Sequence, residues 1–134
     1  MNRVSGVIKE IKKSGEIELV IVDTQDELFS ALILSSIDNY KVGHKVSLLF
    51  KENEVMIATI ESRVSARNSF VSKIIEIEEG EILANVTFDF YGSKISSIIT
   101  KDALKDLTCN VGEEYRWFVK SNEISILFEK SNEI

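Results

Sequence analysis

The sequence contains few of the residues that build disulfides, metal sites or membrane spans. Cys109 is the single cysteine and cannot form an internal disulfide, which fits the reducing cytoplasm. His44 is the single histidine and has no companions for a metal site, so we interpret it as a solvated turn residue. No apolar run approaches the roughly 18 residues of a membrane span, and the N-terminus has no apolar export segment. We therefore expect a soluble, cytoplasmic protein that makes no membrane contact.

The charge balance also excludes some functions. The chain carries 22 acidic and 16 basic residues, a net charge of −6. A nucleic-acid groove is basic, so this balance argues against nucleic-acid binding. Several aromatic residues alternate as core residues do, rather than forming a base-stacking platform: Phe88, Phe90, Tyr115 and Trp117. No set of nucleophile, base and orienting group occurs, so we expect that the protein has no catalytic residues and is not an enzyme.

An internal repeat at a spacing of about 65 residues is the most informative feature. Residues 7–17 match residues 72–82, with Gly15 over Gly80. Three further blocks align in the same order: 29–34 with 95–100, 42–51 with 111–120, and 53–55 with 122–124. We therefore predict two copies of one fold, at residues 1–62 and 63–134.

Hydrophobic residues within each copy recur at every second position, which is the period of a half-buried strand. Two segments look helical, residues 101–107 and their counterpart near 35–38, and residues 129–134 look like a polar tail. Five short strands and one helical turn in about 60 residues are typical of a small OB-like barrel. The predicted fold is all-β, with two tandem five-stranded OB-like barrels that each carry one short helical turn.

The segment Ser65-Ala66-Arg67-Asn68 lies where the two copies meet, and its residue types suit ligand binding. Its small residues let the backbone approach a ligand, its arginine supplies a fork of N–H donors, and its asparagine adds an amide. Exposed backbone N–H groups at such a place can form an anion-binding concavity. Alone, the segment also fits a polar linker, and the surrounding repeat favours half of an anion site.

The second copy has five short blocks in the order and at the spacing of a known domain: 65–68, 77–80, 99–101, 107 with 111–114, and 119–121. With these blocks, residues 65–127 resemble a Mop domain, the molybdate-binding unit of the molbindins. Mop domains also occur at the C-terminus of ModE-type regulators and within the wider TOBE class. The first copy, residues 3–60, resembles a more diverged Mop unit.

The resemblance implies binding of a tetrahedral oxyanion, molybdate or tungstate, at a site completed across an interface between units. One subunit would contribute Ser65, Ala66, Arg67 and Asn68, and its neighbour would contribute Thr100, Lys120 and Ser121. Molybdenum would be bound only as the oxyanion, without metal ligands from the protein. The residue chemistry agrees, since Thr100 can cap a helix whose free N–H groups favour an anion and Lys120 adds a cation.

Some positions depart from the family pattern. Ala103 stands where the pattern commonly has serine, so one side-chain donor is missing. The first copy keeps Lys51 but has Leu34 in place of the threonine and Glu52 in place of the serine. We therefore expect no equivalent site in the first copy.

The resemblance implies storage, buffering or delivery of the oxyanion inside the cell. The alternative is a regulatory module that senses the oxyanion for a separate transporter or DNA-binding partner. The chain begins directly in a strand and shows no DNA-reading domain, so we expect no nucleic-acid binding by this chain alone. Small barrels gain stability from neighbours, and we expect a homo-oligomer, with a trimer of double barrels favoured over a dimer.

Overall fold

The chain folds into two five-stranded antiparallel sheets in the computed structural model, which describes residues 1–34 and 39–129. The strands are β1 (Asn2–Ser14), β2 (Ile17–Asp23), β3 (Leu28–Leu34), β4 (Lys45–Phe50), β5 (Met56–Ala58), β6 (Asn68–Glu79), β7 (Leu83–Phe90), β8 (Ser93–Thr100), β9 (Glu114–Val119) and β10 (Ser125–Phe128). One helix, α1 (Lys101–Leu107), and two 3₁₀ helices, Glu52–Glu54 and Ser121–Glu123, complete the described residues. The prediction of an all-β fold with two five-stranded units is confirmed.

Each sheet takes one edge strand from the other half of the chain. The strand orders are β10-β4-β1-β2-β3 and β5-β9-β6-β7-β8. Ser125 of β10 lies opposite Leu49 of β4, and Ile57 of β5 lies opposite Trp117 of β9. The division of the chain at residues 62 and 63 stays a prediction. The hydrogen bonding adds that each unit contains a strand from the other.

The two halves repeat each other in backbone detail. The backbone N–H of Gly43 donates to the Ile8 carbonyl at 2.8 Å, and that of Gly112 donates to the Ile74 carbonyl at 2.8 Å. Both glycines have φ near the left-handed range, 95° and 93°, which L-residues rarely adopt. The strand register shifts directly after each isoleucine, in β1 and in β6. The turn before β4 and the turn before β9 are therefore the same structure.

A single hydrophobic core runs through both halves. Its centre is a group of aromatic rings from both halves: Phe29, Phe50, Phe70, Phe90 and Trp117. The rings of Phe29 and Phe70 are 4.7 Å apart between centroids, and those of Phe70 and Trp117 are 5.1 Å apart. Each such pair contributes about 0.5–1.5 kcal/mol beyond its burial. The prediction that Phe88, Phe90, Tyr115 and Trp117 are core residues is confirmed, since all four are buried.

The helix α1 is fixed at both ends and on its inner face. Thr100 caps its N-terminus, and Thr108 ends it in the left-handed conformation with φ 52°. Leu104 is buried in the core, and the Tyr115 hydroxyl donates to the Leu107 carbonyl at 2.6 Å. The helical counterpart predicted near residues 35–38 lies outside the described residues. Within the described part of the chain, no helix is long and apolar enough to span a membrane.

The predicted polar tail is described only at its first residue. The backbone N–H of Glu129 donates to the Lys45 carbonyl at 3.2 Å, and its carboxylate accepts a hydrogen bond from Ser47 at 2.9 Å. Glu129 therefore continues the packing of β10 against β4. Residues 130–134 lie outside the described residues.

Candidate functional site

The sheet register brings the end of the linker between β5 and β6, residues 59–67, beside the end of β9. Asn68, at the start of β6, lies opposite Val119, the last residue of β9. The linker before Asn68 and the residue after Val119 therefore meet at one edge of the molecule. A cavity of about 300 Å³ forms there, and Ser65, Ala66 and Lys120 are among its lining residues. Three of the predicted site residues thus meet within one chain, whereas Lys120 was expected from a neighbouring subunit.

Two carboxylates share this cavity with the lysine. Glu54 and Glu123 line it, as do Asn53 and the apolar residues Met56, Val64, Phe118 and Val119. Glu54 and Glu123 end the two 3₁₀ helices that follow β4 and β9. The cavity therefore combines a cation, a hydroxyl and apolar walls with two negative charges.

Asn68 is fully buried, and its side-chain amide is used within the fold. Its Nδ2 donates to the Ser30 carbonyl at 2.9 Å and to the Val119 carbonyl at 3.1 Å. Its Oδ1 accepts from the Ser30 backbone N–H at 2.7 Å. Ser121 also contacts Ser30, through a hydrogen bond between the two hydroxyls. In this chain Asn68 and Ser121 tie the second half to the first, and their roles as ligand donors stay predictions.

The first half makes the equivalent hydrogen bonds to the second half. The Asn2 side chain donates to the Ser96 carbonyl at 2.8 Å and accepts from the Ser96 backbone N–H at 2.8 Å. Asn2 opens β1 as Asn68 opens β6, and Ser96 lies in β8 as Ser30 lies in β3. Sequence reasoning missed this pair, although extending the repeat alignment to Asn2 and Asn68 would have found it.

Arg67 is exposed and turns back onto its own segment. Its Nη2 donates to the Val64 carbonyl at 2.7 Å, and its Nε donates to the Ser65 carbonyl at 3.2 Å. It lines a second cavity, together with Arg63 and Arg116, rather than the cavity of Ser65 and Lys120. In this conformation the guanidinium stabilises the linker segment.

Thr100 lies at the N-terminus of α1, on an edge strand. Its Oγ1 accepts from the Ala103 backbone N–H at 3.1 Å, and its backbone lies opposite Leu83. The hydroxyl hydrogen stays available to a further acceptor, because a threonine hydroxyl can accept and donate at once. Thr100 does not line the cavity of Ser65 and Lys120.

Comparison with known proteins decides the family. No family model matches the chain. Over 65 residues the chain is 34% identical to molybdenum-pterin-binding protein 3 of Clostridium pasteurianum, and the match covers 96% of that protein and 48% of this chain. The chain belongs to the molybdenum-pterin-binding protein family. The resemblance to Mop-type proteins is therefore confirmed.

Two longer matches extend over nearly the whole chain of this family member. It is 27% identical over 129 residues to the molybdenum transport protein ModE of Azotobacter vinelandii. This match covers 92% of this chain and 48% of ModE. The chain therefore spans about half the length of that relative. The solved structure of ModG, a cytoplasmic molybdate-binding protein with molybdate bound, superposes with a TM-score of 0.90. At 22% identity over 96% of both chains, ModG shows the same fold.

The first half of this family member repeats the backbone and the lysine of the site, but not the serine that follows the lysine. Lys51 precedes one 3₁₀ helix and Lys120 precedes the other, with φ of −78° and −69° and ψ of 146° and 149°. Glu52 follows Lys51, where Ser121 follows Lys120. A hydrogen bond from the N-terminal ammonium, 2.9 Å from Oε2, lowers the pKa of Glu52, so this carboxylate is ionised near neutrality. Glu52 has a carboxylate that can only accept hydrogen bonds, where Ser121 has a hydroxyl that can donate, and this loss of a donor supports the prediction that this half has no oxyanion site.

The remaining candidates belong to the fold. Cys109 is buried, and burial, with a smaller effect of the nearby Glu113 carboxylate, raises the pKa of its thiol. A neutral, buried thiol packs as a small apolar side chain. In residues 1–34 and 39–129, no group of three or more histidines, cysteines or carboxylates could hold a metal ion.

Proposed function

We propose that this protein binds molybdate, or tungstate, which has the same charge and nearly the same size. The observation that carries the proposal is the meeting of Ser65, Ala66 and Lys120 at one cavity, in a chain of the molybdenum-pterin-binding family. A tetrahedral dianion offers only acceptor oxygens. Lys120 and the Ser65 hydroxyl supply donors, and charge-assisted hydrogen bonds are the stronger kind.

We propose that a neighbouring chain completes the site. Thr100 has a hydroxyl hydrogen to donate but lies away from the cavity of Lys120 in its own chain. Beside Thr100, the outer face of β7 and β8 exposes Leu83 (52%) and Ile98 (36%). A second copy that covered these aliphatic side chains would bring a Thr100 to a shared interface. The assembly we favour is a trimer of double barrels, with a dimer as the alternative.

We propose a binding role inside the cell, for storage, buffering or delivery of the oxyanion, rather than catalysis. The buried, neutral Cys109 is unsuited to act as a nucleophile, which supports this view. A sensing role is the second candidate, because the match to ModE spans 92% of this chain. A pull-down from cell extract whose captured partner changes on adding molybdate would favour sensing over storage.

Equilibrium dialysis against molybdate in excess sulfate tests the proposal. Retention of molybdate by the protein at a fixed ratio per chain supports it. Equal retention of sulfate and molybdate would support a general anion site, and no retention of either would refute the proposed function.

A further inference from the structure

A second cavity flanks the linker and is lined by a different set of side chains. It has a volume of about 360 Å³ and is lined by Ser62, Arg63, Val64, Ala66, Arg67, Ser69 and Arg116. Only Val64 and Ala66 are shared with the lining of the Lys120 cavity. We propose that this arginine cavity is a separate anion-binding site, whose ligand is a diphosphate, either inorganic or as the diphosphate group of an organic ester.

The arginine cavity is lined by three arginines and by no carboxylate. Arg63, Arg67 and Arg116 all line it, in a chain whose net charge is −6. Within residues 1–34 and 39–129, none of the three forms a salt bridge. Three neighbouring guanidinium groups repel one another, and a multiply charged anion relieves that repulsion. The cavity therefore favours a ligand with several negative charges.

Two of the three guanidinium groups are already held in place. Arg116 donates from Nε and Nη2 to the Ile60 carbonyl, at 3.0 and 2.7 Å, and from Nη1 to Ser69 Oγ at 3.1 Å. Arg67 is held by the carbonyls of Val64 and Ser65. A guanidinium carries five N–H donors, so both groups keep unused donors. Because they are ordered before a ligand arrives, binding costs little further side-chain entropy.

The neutral donors and the third arginine complete the arginine cavity. Ser69 Oγ accepts from Arg116 and can still donate its own hydrogen. Arg63 is exposed and makes no hydrogen bond with the described residues, so its whole donor fork is free to close on a ligand. Forked guanidinium donors match the paired oxygens of phosphate groups. The volume lies at the lower end of the roughly 300–1,000 Å³ of small-molecule sites, which suits a diphosphate.

Calorimetry with inorganic diphosphate at low ionic strength tests this proposal. Arg63→Gln removes one charge and no internal hydrogen bond, and we expect it to weaken diphosphate binding at least about tenfold. Arg3→Gln is the control, because Arg3 is also exposed but does not line the arginine cavity; Arg3 donates instead to Ser47 Oγ at 3.2 Å. Diphosphate binding should be unchanged in Arg3→Gln. No heat with the wild-type protein, or equal binding by Arg63→Gln and Arg3→Gln, would overturn the proposal.

Two further arms separate this site from the proposed molybdate site and identify the source of the ligand. Lys120→Ala should weaken molybdate binding and leave diphosphate binding unchanged, whereas Arg63→Gln should do the reverse. Parallel loss of both ligands in both variants would mean one shared site and would overturn the proposal. A nucleoside diphosphate that binds at least about tenfold more tightly than inorganic diphosphate would assign the site to an organic ester, and equal or weaker binding would assign it to the inorganic anion.

Discussion

The side-chain amide of Asn68 makes two hydrogen bonds with the backbone of Ser30. It donates to the Ser30 carbonyl at 2.9 Å and accepts from the Ser30 N–H at 2.7 Å. Because Asn2 makes the same two hydrogen bonds with the backbone of Ser96, each half of the chain is hydrogen-bonded to an edge strand of the other. The two sheets, which also exchange β5 and β10, are therefore joined by matched polar contacts around one core.

Replacing Asn68 should destabilise the whole chain. Asn68→Ala leaves buried backbone groups of Ser30 and Val119 without partners, and each unpaired group costs about 1–3 kcal/mol. We expect a loss of about 3 kcal/mol or more in the free energy of unfolding, measured by urea denaturation. Asn85→Ala is the control, because the Asn85 side-chain oxygen is buried with no partner in the described residues. Equal losses in the two variants would contradict the structural role of Asn68.

The repeat in the sequence anticipated much of this fold. Gly15 and Gly80, and Gly43 and Gly112, marked turns that the structure places at equivalent positions in the two halves. Alternation located the strands because one face of each strand packs on the core. Residues 101–107 were assigned correctly as a helix, since Thr100 supplies an N-cap side chain.

The sequence did not show which strands pair with one another. β5 and β10 are short, and alternation shows that a segment is a strand without showing which strand lies beside it. The same limit affected the site. Asn68 and Arg67 have the residue types of an anion site, but only the folded structure shows that Asn68 is buried against Ser30 and that Arg67 turns onto the linker.

Removing a carboxylate from the Lys120 cavity should strengthen oxyanion binding. Glu123 lines this cavity and repels a dianion. Glu123→Gln keeps the shape and removes the charge, so we expect molybdate to bind about three- to tenfold more tightly in calorimetry at low salt. Glu114→Gln, in a different cavity, should change little. If Glu123→Gln weakens binding, the anion does not occupy this cavity.

Cys109 should resist alkylation. Burial, followed by the Glu113 carboxylate, raises the pKa of its thiol, so the reactive thiolate forms only at higher pH than in an ordinary cysteine. We expect iodoacetamide at pH 8 to modify the native protein far more slowly than the urea-unfolded protein. Mass spectrometry over a pH series checks this. Native and unfolded chains that react at the same rate would contradict the burial of the thiol.

Ligand should tighten the assembly if the oxyanion is shared between chains. An anion bound across an interface stabilises the associated form by mass action. Light scattering on dilution should show that molybdate lowers the concentration at which oligomers dissociate, and Thr100→Ala should reduce this effect. A monomer at every molybdate concentration would refute the shared site, and a dimer would refute only the count of three.

The comparison of Lys120 with Lys51 tests the central claim most directly. The two lysines occupy equivalent backbone positions before equivalent 3₁₀ helices, but Ser121 follows one and Glu52 follows the other. In calorimetric titrations with molybdate, we expect Lys120→Ala to weaken binding about ten- to a hundredfold and Lys51→Ala to leave it unchanged. Equal effects of the two substitutions, or no effect of Lys120→Ala, would contradict a single oxyanion site in the second half of the chain.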